Sequence, residues 1–554
     1  MSSIRSLLAA GLVLFFLHVP VAAIAADAAP ALTGTVSSAE EGAMEGVLVS
    51  AKKSGSNITI TVVSDAQGRY RFPASKLEPG QYAVRIRAIG YDLDGRVNAD
   101  IAAQKTVTAD LKLRRTLDLA AQMSNAEWLY SMPGEQKQKN TLLGCVGCHS
   151  LERIVRSKYD TDGFLATVQR MSTYANQTTP LHPQKRLTTR NTELVGEDRI
   201  RVQRAQAEFL ASINLSQTSS WDYALKTFPR PKGKATQVVY TEYDLPRPTI
   251  EPHDVILDAN GIAWYSNFGE QNFGKLDPKT GKVTEFAVPE LKKGSPQGAL
   301  SIRGDRDGNL WLGMMYQASV AKFDPKTEKF QTWTIPADLN ADNTQLNMTS
   351  PWNIGVDGKL WLENNGFAGV HRIDLKTGKW ETFEPFKKSP QGHNIYDVIS
   401  DSQNNAYFTD IGFEHIGRVD AKSGEITMFT IPTKDSGPRR GMMDAQDRLW
   451  FGEYRGNAVG MFDTKTREFK EWKLPTPWTS PYDVTIDKNL NAWTGSMLSD
   501  RISRVDTKSG EITDYLLPRQ TNIRRVFVDN TTTPVTFWVG SNHGASIIKL
   551  ETLE

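Results

Sequence analysis

The sequence predicts a mainly β protein of several domains: a small β-sandwich, a small α-helical domain and a seven-bladed β-propeller. Three observations predict it. Over residues 27–116, apolar and polar residues alternate in short runs, as they do in half-buried strands. Residues 118–217 instead carry apolar side chains at helical spacing. After a linker rich in Ser, Pro and Lys at 218–236, residues 237–554 repeat with a period in the forties, which is typical of propeller blades.

Charge and composition narrow the class of protein. The 65 Lys and Arg residues nearly balance the 63 Asp and Glu residues, so the net charge is only +2. Such a balance leaves no basic footprint for nucleic acid. The 39% hydrophobic content, with 42 Gly and 13 Trp among 554 residues, suits globular β-rich domains.

The N-terminus resembles a secretory leader. Arg5 precedes an apolar run over 7–23, which His18 and Pro20 interrupt, and Ala23-Ile24-Ala25 offers a cleavage site. We therefore expect residues 1–25 to be a signal peptide and the mature protein to be periplasmic. The run is short for a membrane span, so membrane attachment is expected only if the leader stays uncleaved.

The clearest strands of the sandwich lie at 47–49, 58–62, 70–72 and 82–86. Their order, with Gly34-Thr35-Val36 before them, Leu77-Glu78-Pro79-Gly80 between the last two and Gly90-Tyr91 at the end, resembles the carboxypeptidase regulatory-like domain. That resemblance implies a transthyretin-like sandwich with a structural or interaction role. The segment has no cluster of acids, bases or metal ligands, so we assign it no chemistry.

The two cysteines of the chain both lie in Cys145-Val146-Gly147-Cys148-His149. This spacing is the attachment signature of a c-type haem, in which each thiol adds to a haem vinyl group and the histidine becomes the proximal iron ligand. A zinc site would need a second pair of cysteines, and a thioredoxin-like motif would need a βαβ pattern around it. We therefore expect one covalent haem c on Cys145 and Cys148, with His149 bound to its iron.

The helical pattern around this motif resembles the class I cytochrome c domain. Phe164, Leu165, Val168 and Met171 form one apolar stripe on a predicted helix after the motif. Met171 is the distal haem ligand that we favour, since a thioether suits haem iron and raises its potential. The same residue also fits a role in the core of the stripe. The alternatives are an open distal site or one of His182, Met123 and Met132.

The propeller prediction rests on an aromatic residue that follows a turn in each repeat. It recurs at Trp264, Trp311, Trp361, Tyr407, Trp450, Trp493 and Trp538. The last repeat ends near Leu550 without a final strand, and residues 240–246 carry the matching strand upstream. Seven blades therefore close into a ring by joining both ends of the repeat region, which removes free sheet edges.

Equivalent positions in the repeats predict the lining of a central channel, and one mouth of that channel is the default binding site. Variable polar residues at these positions give the candidate pocket: Asn267, Trp352, Asn364, Tyr396, Asp397, Arg439, Arg440, Tyr482, Asp483, Arg524 and Arg525.

Residues 238–550 resemble the streptogramin lyases, also called virginiamycin B lyases, through 449–453 with Asn457 and through 272–277. The resemblance implies magnesium-assisted elimination with a histidine base, and Glu251-Pro252-His253 looks like the Glu-Pro-His stretch of that family. The match then weakens. Asn267 stands where the family has an acid, and the stretch lies in the first blade rather than late in the chain. Only Glu453, in another blade, keeps a glutamate at the equivalent position.

Three functions follow as alternatives. The first is an exported c-type cytochrome whose propeller binds a small substrate, with Asp410, Glu453 or His253 as base and with arginines 439, 440, 524 and 525 holding an anion. It would pass electrons to a periplasmic partner. The second is a lyase with a divalent cation such as Mg²⁺ in the channel. The third is a non-catalytic binding and electron-transfer assembly, and the sequence does not decide between the first and the third.

Overall fold

The computed structural model describes residues 29–189, 194–216, 218–366, 368–388 and 392–553. The predicted signal peptide, residues 1–25, lies outside these ranges. Within them, no helix has both the length and the apolar character needed to span a bilayer.

The N-terminal domain is a β-sandwich, as predicted. Buried and exposed residues alternate along its strands, so that Tyr70 and Phe72 enter the core while Arg69 and Arg71 face solvent. The first strand pairs in parallel with the last, Val36 opposite Leu111. The strands, β1 to β10 in chain order, are Leu32–Ser38, Gly42–Ala43, Leu48–Lys53, Ile58–Val63, Arg69–Phe72, Gly80–Arg87, Tyr91–Leu93, Val97–Ile101, Val107–Thr108 and Leu111–Arg115.

Five α-helices follow, with α1 opened by a capping box between Ser124 and Glu127 and α4 capped by Asp160. The helix α5 packs against α4. In chain order α1 to α5 are Asn125–Ser131, Gln136–Asn140, Glu152–Val155, Thr161–Met171 and Gly196–Ile213. Short 3₁₀ helices lie at Ala74–Lys76, Leu119–Gln122, Thr141–Gly147, Gly233–Thr236, Ala337–Leu339 and Ile354–Val356.

The C-terminal region is a propeller of seven four-stranded sheets. Strands β12 to β35 form six blades, each from four consecutive strands, and β36, β37 and β38 take β11 as their fourth strand. The predicted joining of the two ends is therefore observed, with Tyr240 opposite Leu550. The strands β11 to β38 are Val238–Asp244, Pro252–Leu257, Ala263–Asn267, Asn272–Leu276, Val283–Ala287, Ile302–Gly304, Leu310–Gly313, Ser319–Asp324, Lys329–Thr334, Leu346–Ser350, Lys359–Asn364, Gly369–Asp374, Trp380–Phe383, Ile395–Ser400, Ala406–Asp410, His415–Val419, Ile426–Thr430, Pro438–Met443, Arg448–Glu453, Ala458–Asp463, Phe469–Lys473, Pro481–Ile486, Asn491–Ser496, Arg501–Asp506, Ile512–Leu516, Ile523–Asp529, Thr536–Ser541 and Ser546–Thr552.

A local hydrogen bond explains why the repeated aromatic is usually tryptophan. The indole Nε1 of Trp311 donates to Asp305, six residues earlier, at 2.8 Å, and Trp493 does the same to Asp487. Trp264 and Trp450 repeat the arrangement. In these four blades, the hydrogen bond fixes the aromatic side chain to the turn before its strand.

The sandwich is joined to the propeller through a shared sheet. Strand β4 pairs with the free edge of β11, Val62 opposite Val239, so one sheet of eight strands runs from the seventh blade into the sandwich. Lys52 reinforces the junction with an ion pair to Asp244 at 2.6 Å.

The helical domain sits on the propeller. Trp128 and Leu129 of α1 share an apolar cluster with Tyr482 and Leu498 of the propeller. The backbone N–H of Ala126 also donates to the carbonyl of Leu498 at 2.9 Å. This packing decides where the cysteine motif lies.

Candidate functional site

The cysteine motif occupies the end of the 3₁₀ helix Thr141–Gly147 and the residues just after it. Cys145 lies within that helix and Cys148 follows its last residue. Both thiols are free and partly buried. Burial raises the pKa of Cys145 to about 12 and that of Cys148 to about 11, so both are protonated thiols at neutral pH in the unmodified chain.

Two residues of the seventh blade hold the backbone of this motif. The amide of Asn522 donates to the carbonyl of Val146 at 2.9 Å, and the guanidinium of Arg524 donates to the carbonyl of Gly147 at 2.7 Å. Arg524 also donates to Asn522 at 2.9 Å and lies over the ring of Phe268. The motif is therefore fixed against the innermost strand of the propeller.

A cavity of about 340 Å³ opens beside the motif. The helical domain and the propeller both line it: Met123, Ser124, Asn125, Cys148, His149, Ser150, Thr179, Pro180, Leu181, Pro248, Asp500, Gln520, Thr521, Asn542 and His543.

The residues at this cavity fit a covalent haem. The Nδ1 atom of His149 lies 2.9 Å from the carbonyl oxygen of Ser150, which makes Nδ1 the protonated nitrogen and leaves the Nε2 lone pair for a metal. Asn542 is 2% exposed, and among the described residues neither polar atom of its amide has a hydrogen-bond partner. A buried amide of this kind is typical of a site that a polar ligand completes.

The four predicted distal ligands lie in different places, and only one of them lines the cavity. Met171 ends α4, is 40% exposed, and is not among the residues that line the cavity. Met132 is buried in the apolar cluster, and His182 lies with Nδ1 2.8 Å from the carbonyl of Gly269. Met123 does line the cavity and is 1% exposed.

A chain of buried polar groups occupies the centre of the propeller near the motif. The hydroxyls of Tyr396 and Tyr482 are hydrogen bonded to each other, and Tyr482 also lies 3.1 Å from Nε2 of His253. Nδ1 of His253 is 2.8 Å from Asp254, which accepts two hydrogen bonds from Arg440, at 2.6 and 2.9 Å. Of these groups, Tyr396 is the partly exposed member.

Burial lowers the pKa of His253 to about 3, so its imidazole is neutral at physiological pH. Although burial opposes the ionisation of Asp254, the Arg440 guanidinium and His253 hold the pKa of that carboxyl well below its usual range. Asp254 is thus a carboxylate that accepts from Nδ1 of His253, and Nε2 accepts from Tyr482.

The arginines predicted to hold an anion already have partners. Arg440 is paired with Asp254, and Nε of Arg525 lies 3.3 Å from Asp483. The remaining predicted pocket acid, Asp397, pairs with Arg303 at 2.7 Å. The guanidinium of Arg439 lies over three rings, 4.5 Å from Tyr396, 4.4 Å from Tyr454 and 4.0 Å from Tyr482.

Several predicted ring residues close turns. Asn267 accepts from the N–H groups of Glu251 and Gly269, and Asn364 accepts from those of Gln345 and Gly366. Asp410 accepts in the same way from Asn394 and Gly412. These polar side chains are buried because each of them accepts hydrogen bonds from backbone N–H groups at the end of a strand.

Asp410 also belongs to a cluster in the fourth blade. It lies 2.8 Å from Nδ1 of His393 and 3.5 Å from Nδ1 of His415. These three side chains could together ligate a metal ion, since their ligand atoms all lie within 4.8 Å of one another.

The prediction of Trp352 as a channel residue is wrong. Trp352 is 55% exposed, and its ring lies against Arg306, in the turn after the inner strand of the second blade. The inner strand β20 ends at Ser350, two residues earlier, and a 3₁₀ helix lengthens the connection that follows. An alignment counted back from Trp361 therefore misses the inner strand.

Comparison with known proteins supports two of the three predicted units. The family model of the virginiamycin B lyases matches residues 293–552, and that of the carboxypeptidase regulatory-like domain matches residues 31–114. The propeller is virginiamycin B lyase-like. No curated protein matches the chain significantly.

Solved lyase structures resemble the propeller in fold. A streptogramin B lyase structure is 21% identical with a TM-score of 0.50, covering 58% of this chain and all of that one. The selenomethionine-substituted virginiamycin B lyase from Staphylococcus aureus is 24% identical with a TM-score of 0.49, covering 57% of this chain and all of that one.

The stretch from Glu251 to His253 only partly resembles a divalent cation site, although the buried carboxyl of Glu251 has no hydrogen-bond partner among the described residues. Burial raises the pKa of Glu251 to about 8, a shift that an adjacent cation would oppose. Both ring nitrogens of His253 already have partners, and Asn267 supplies an amide rather than a carboxylate. This stretch also lies outside the residues that the lyase family model matches.

Two residues that contact the cysteine motif carried no signal in the sequence. Asn522 precedes the inner strand of the seventh blade, and His543 lies in the turn between β37 and β38. Neither belongs to a motif. Only the packing of the helical domain on this blade brings them to the cysteine motif.

Proposed function

We propose that this protein is an exported c-type cytochrome that acts as a haem-linked oxidoreductase. Cys145 and Cys148 would hold the haem, and His149 would bind its iron. The observation that carries the proposal is the position of the motif on the propeller. Asn522 donates a hydrogen bond to the carbonyl of Val146 at 2.9 Å, and Arg524 donates one to the carbonyl of Gly147 at 2.7 Å. A redox group attached there lies where the propeller's inner strands meet the helical domain.

A covalent haem at this site would supply one-electron transfer. Residues of the chain itself would transfer the protons that accompany this reaction. Removal of electrons from an organic substrate releases protons, and the neutral His253 accepts a hydrogen bond from Tyr482, which contacts Tyr396 in turn. Tyr396 at the exposed end, Tyr482 and His253 thus form one hydrogen-bonded chain, along which the tyrosine hydroxyls can pass such a proton.

The lyase alternative lacks support at its own site. A lyase base must contact its substrate directly, whereas Nδ1 of His253 is covered by Asp254 and Nε2 by the hydroxyl of Tyr482. The non-catalytic assembly uses the same haem site and differs only in lacking a substrate. The oxidoreductase and the non-catalytic assembly both require a periplasmic partner that accepts electrons one at a time.

The test uses the full-length protein produced in a periplasm that matures c-type haem. Haem that remains attached after denaturation, and is lost in the double variant Cys145→Ala/Cys148→Ala, supports the covalent site. Small reduced substrates are then offered anaerobically while haem reduction is followed by absorbance. Reduction by one substrate class supports the oxidoreductase.

A matched pair of variants links reduction to the polar chain. Tyr482→Phe removes the hydroxyl between Tyr396 and His253, and we expect substrate-dependent reduction to slow at least tenfold, within the range that proton-transfer groups contribute. Tyr265→Phe removes a buried hydroxyl without a hydrogen-bond partner among the described residues and should leave the rate unchanged.

The outcomes separate the alternatives. A haem that no substrate reduces would favour the non-catalytic assembly. Turnover that survives loss of both cysteines and stops with a chelator would favour the lyase, and a protein without covalent haem would overturn the proposal.

A further inference from the structure

Two histidines from different domains line the cavity beside the cysteine motif. His149 belongs to the motif, and His543 lies in the β37–β38 turn of the seventh blade. The His543 side chain is exposed, and its Nε2 atom lies 3.4 Å from the carbonyl of Gly147. That distance is long for a hydrogen bond, so the ring is only weakly held.

Few side chains at this cavity have the chemistry of an axial haem ligand. An axial position needs an imidazole nitrogen, a sulfur atom or, less often, a tyrosine oxygen. Among the described residues that line the cavity, His149, His543, Met123 and Cys148 carry such atoms. The sulfur of Cys148 would be bonded to the haem vinyl group, so His149, His543 and Met123 remain as ligands.

Met123 is the weaker of the two distal candidates. Its side chain belongs to the buried apolar cluster, and Gln520 holds its backbone carbonyl at 2.9 Å. Binding iron would draw this thioether out of a packed core. His543 has no such cost, because it is exposed on a hairpin turn.

The neighbour of His543 also indicates a ligand in this cavity. Asn542 is buried, lines the cavity, and carries the amide without partners described above. A bound group with polar edges, such as a haem propionate, would satisfy it.

We propose that His543 is the second axial ligand of the haem. The proposal rests on the proposed haem site and adds to it a role for the propeller. The iron would then be held by one imidazole from each domain, and the lyase-like propeller would be part of the haem site itself. Two imidazoles give a lower potential than a histidine with a methionine.

The experiment compares the holoprotein with single variants by electron paramagnetic resonance, magnetic circular dichroism and redox titration. We expect the ferric wild-type protein to be low-spin with two nitrogen ligands. His543→Ala should become high-spin, bind cyanide more than tenfold faster, and regain the low-spin spectrum with added imidazole.

His182→Ala is the matched control. His182 lies in the same interface, bonded to the carbonyl of Gly269, and does not line the cavity. Its replacement should leave the spectrum unchanged. Should His543→Ala fail to fold, His543→Met gives the same discrimination, because a thioether there would produce a methionine–iron charge-transfer band and a higher potential.

The failures are distinguishable. A wild-type protein without covalent haem would overturn the proposed function and this inference together. Covalent haem with identical spectra in wild type and the His543 variants would overturn this inference alone, and loss of the low-spin signal in Met123→Leu or Met171→Leu would assign the ligand to that methionine.

Discussion

At the scale of single residues, burial decides which charges the propeller can hold. Asp254 stays ionised because the buried Arg440 donates two hydrogen bonds to it. Glu453 is equally buried but lies near another acid, Glu471. Burial, and then the charge of Glu471, raise the pKa of Glu453 to about 9. At neutral pH the buried Asp254 is therefore ionised, whereas the similarly buried Glu453 is neutral.

This raised pKa predicts a pH-dependent stability. Because the folded protein keeps a proton on Glu453 that the unfolded chain releases above its ordinary pKa of 4.5, the contribution is full below pH 4.5 and is lost as the pH rises towards 9. We expect Glu453→Gln to flatten this decline in the free energy of unfolding, measured by urea denaturation across that range. Glu468→Gln, at an exposed position, should not. Parallel curves for wild type and Glu453→Gln would contradict the assignment.

At the scale of elements, the same turn has different surroundings in different blades. Gly281 follows β14 and Gly378 follows β22, and both have φ +72°, where glycine is favoured. A Cβ at Gly281 would lie 2.5 Å from the Asn57 side chain of the sandwich, whereas nothing lies within 4 Å at Gly378. Asn57 also donates to the carbonyl of Gly281 at 2.8 Å. One turn thus forms part of the domain junction.

This pair of glycines gives a matched test of the junction. Gly378→Ala should cost about 1 kcal/mol of unfolding free energy, from the left-handed backbone alone. Gly281→Ala should cost about 1–3 kcal/mol more, from the clash with Asn57. Chemical denaturation of both variants measures the difference. Equal costs would mean that the sandwich does not press on this turn.

At the scale of the whole molecule, the three units share structure instead of standing apart. The eight-stranded sheet runs through the sandwich and the seventh blade, and the apolar cluster around Trp128 and Leu498 joins the helical domain to the propeller. Shared sheets and cores couple unfolding, so the molecule should lose its tertiary structure in one transition.

Leu498→Ala tests this coupling. Truncating this fully buried side chain should cost about 2–5 kcal/mol. Tryptophan fluorescence reports mainly on the blades, and haem absorbance would report on the cysteine motif. We expect both thermal transitions to coincide in the wild-type protein and to move together in the variant. A shift of one transition without the other would show that the domains unfold independently.

Sequence reasoning succeeded where the signal is local. The blade repeat was predictable because an aromatic residue recurs after a turn in every blade, and in four blades it is bonded to an acid six residues earlier, as Trp311 is to Asp305. Strand alternation in the sandwich was equally visible. The position of Trp352 was not predictable, because a longer connection follows the inner strand of that blade. The pairing of Val62 with Val239 was not predictable either, since periodicity does not determine which strand edges pair.

The sequence by itself determined the parts: the spacing of Cys145, Cys148 and His149, the seven repeats, and the strand that closes them. Only the tertiary structure decided that the cysteine motif lies on the propeller. The hydrogen bonds that place it there join Val146 to Asn522 and Gly147 to Arg524, more than 370 residues along the chain. Such contacts depend on how finished domains pack, and packing between domains leaves no periodic trace in the residues that make it.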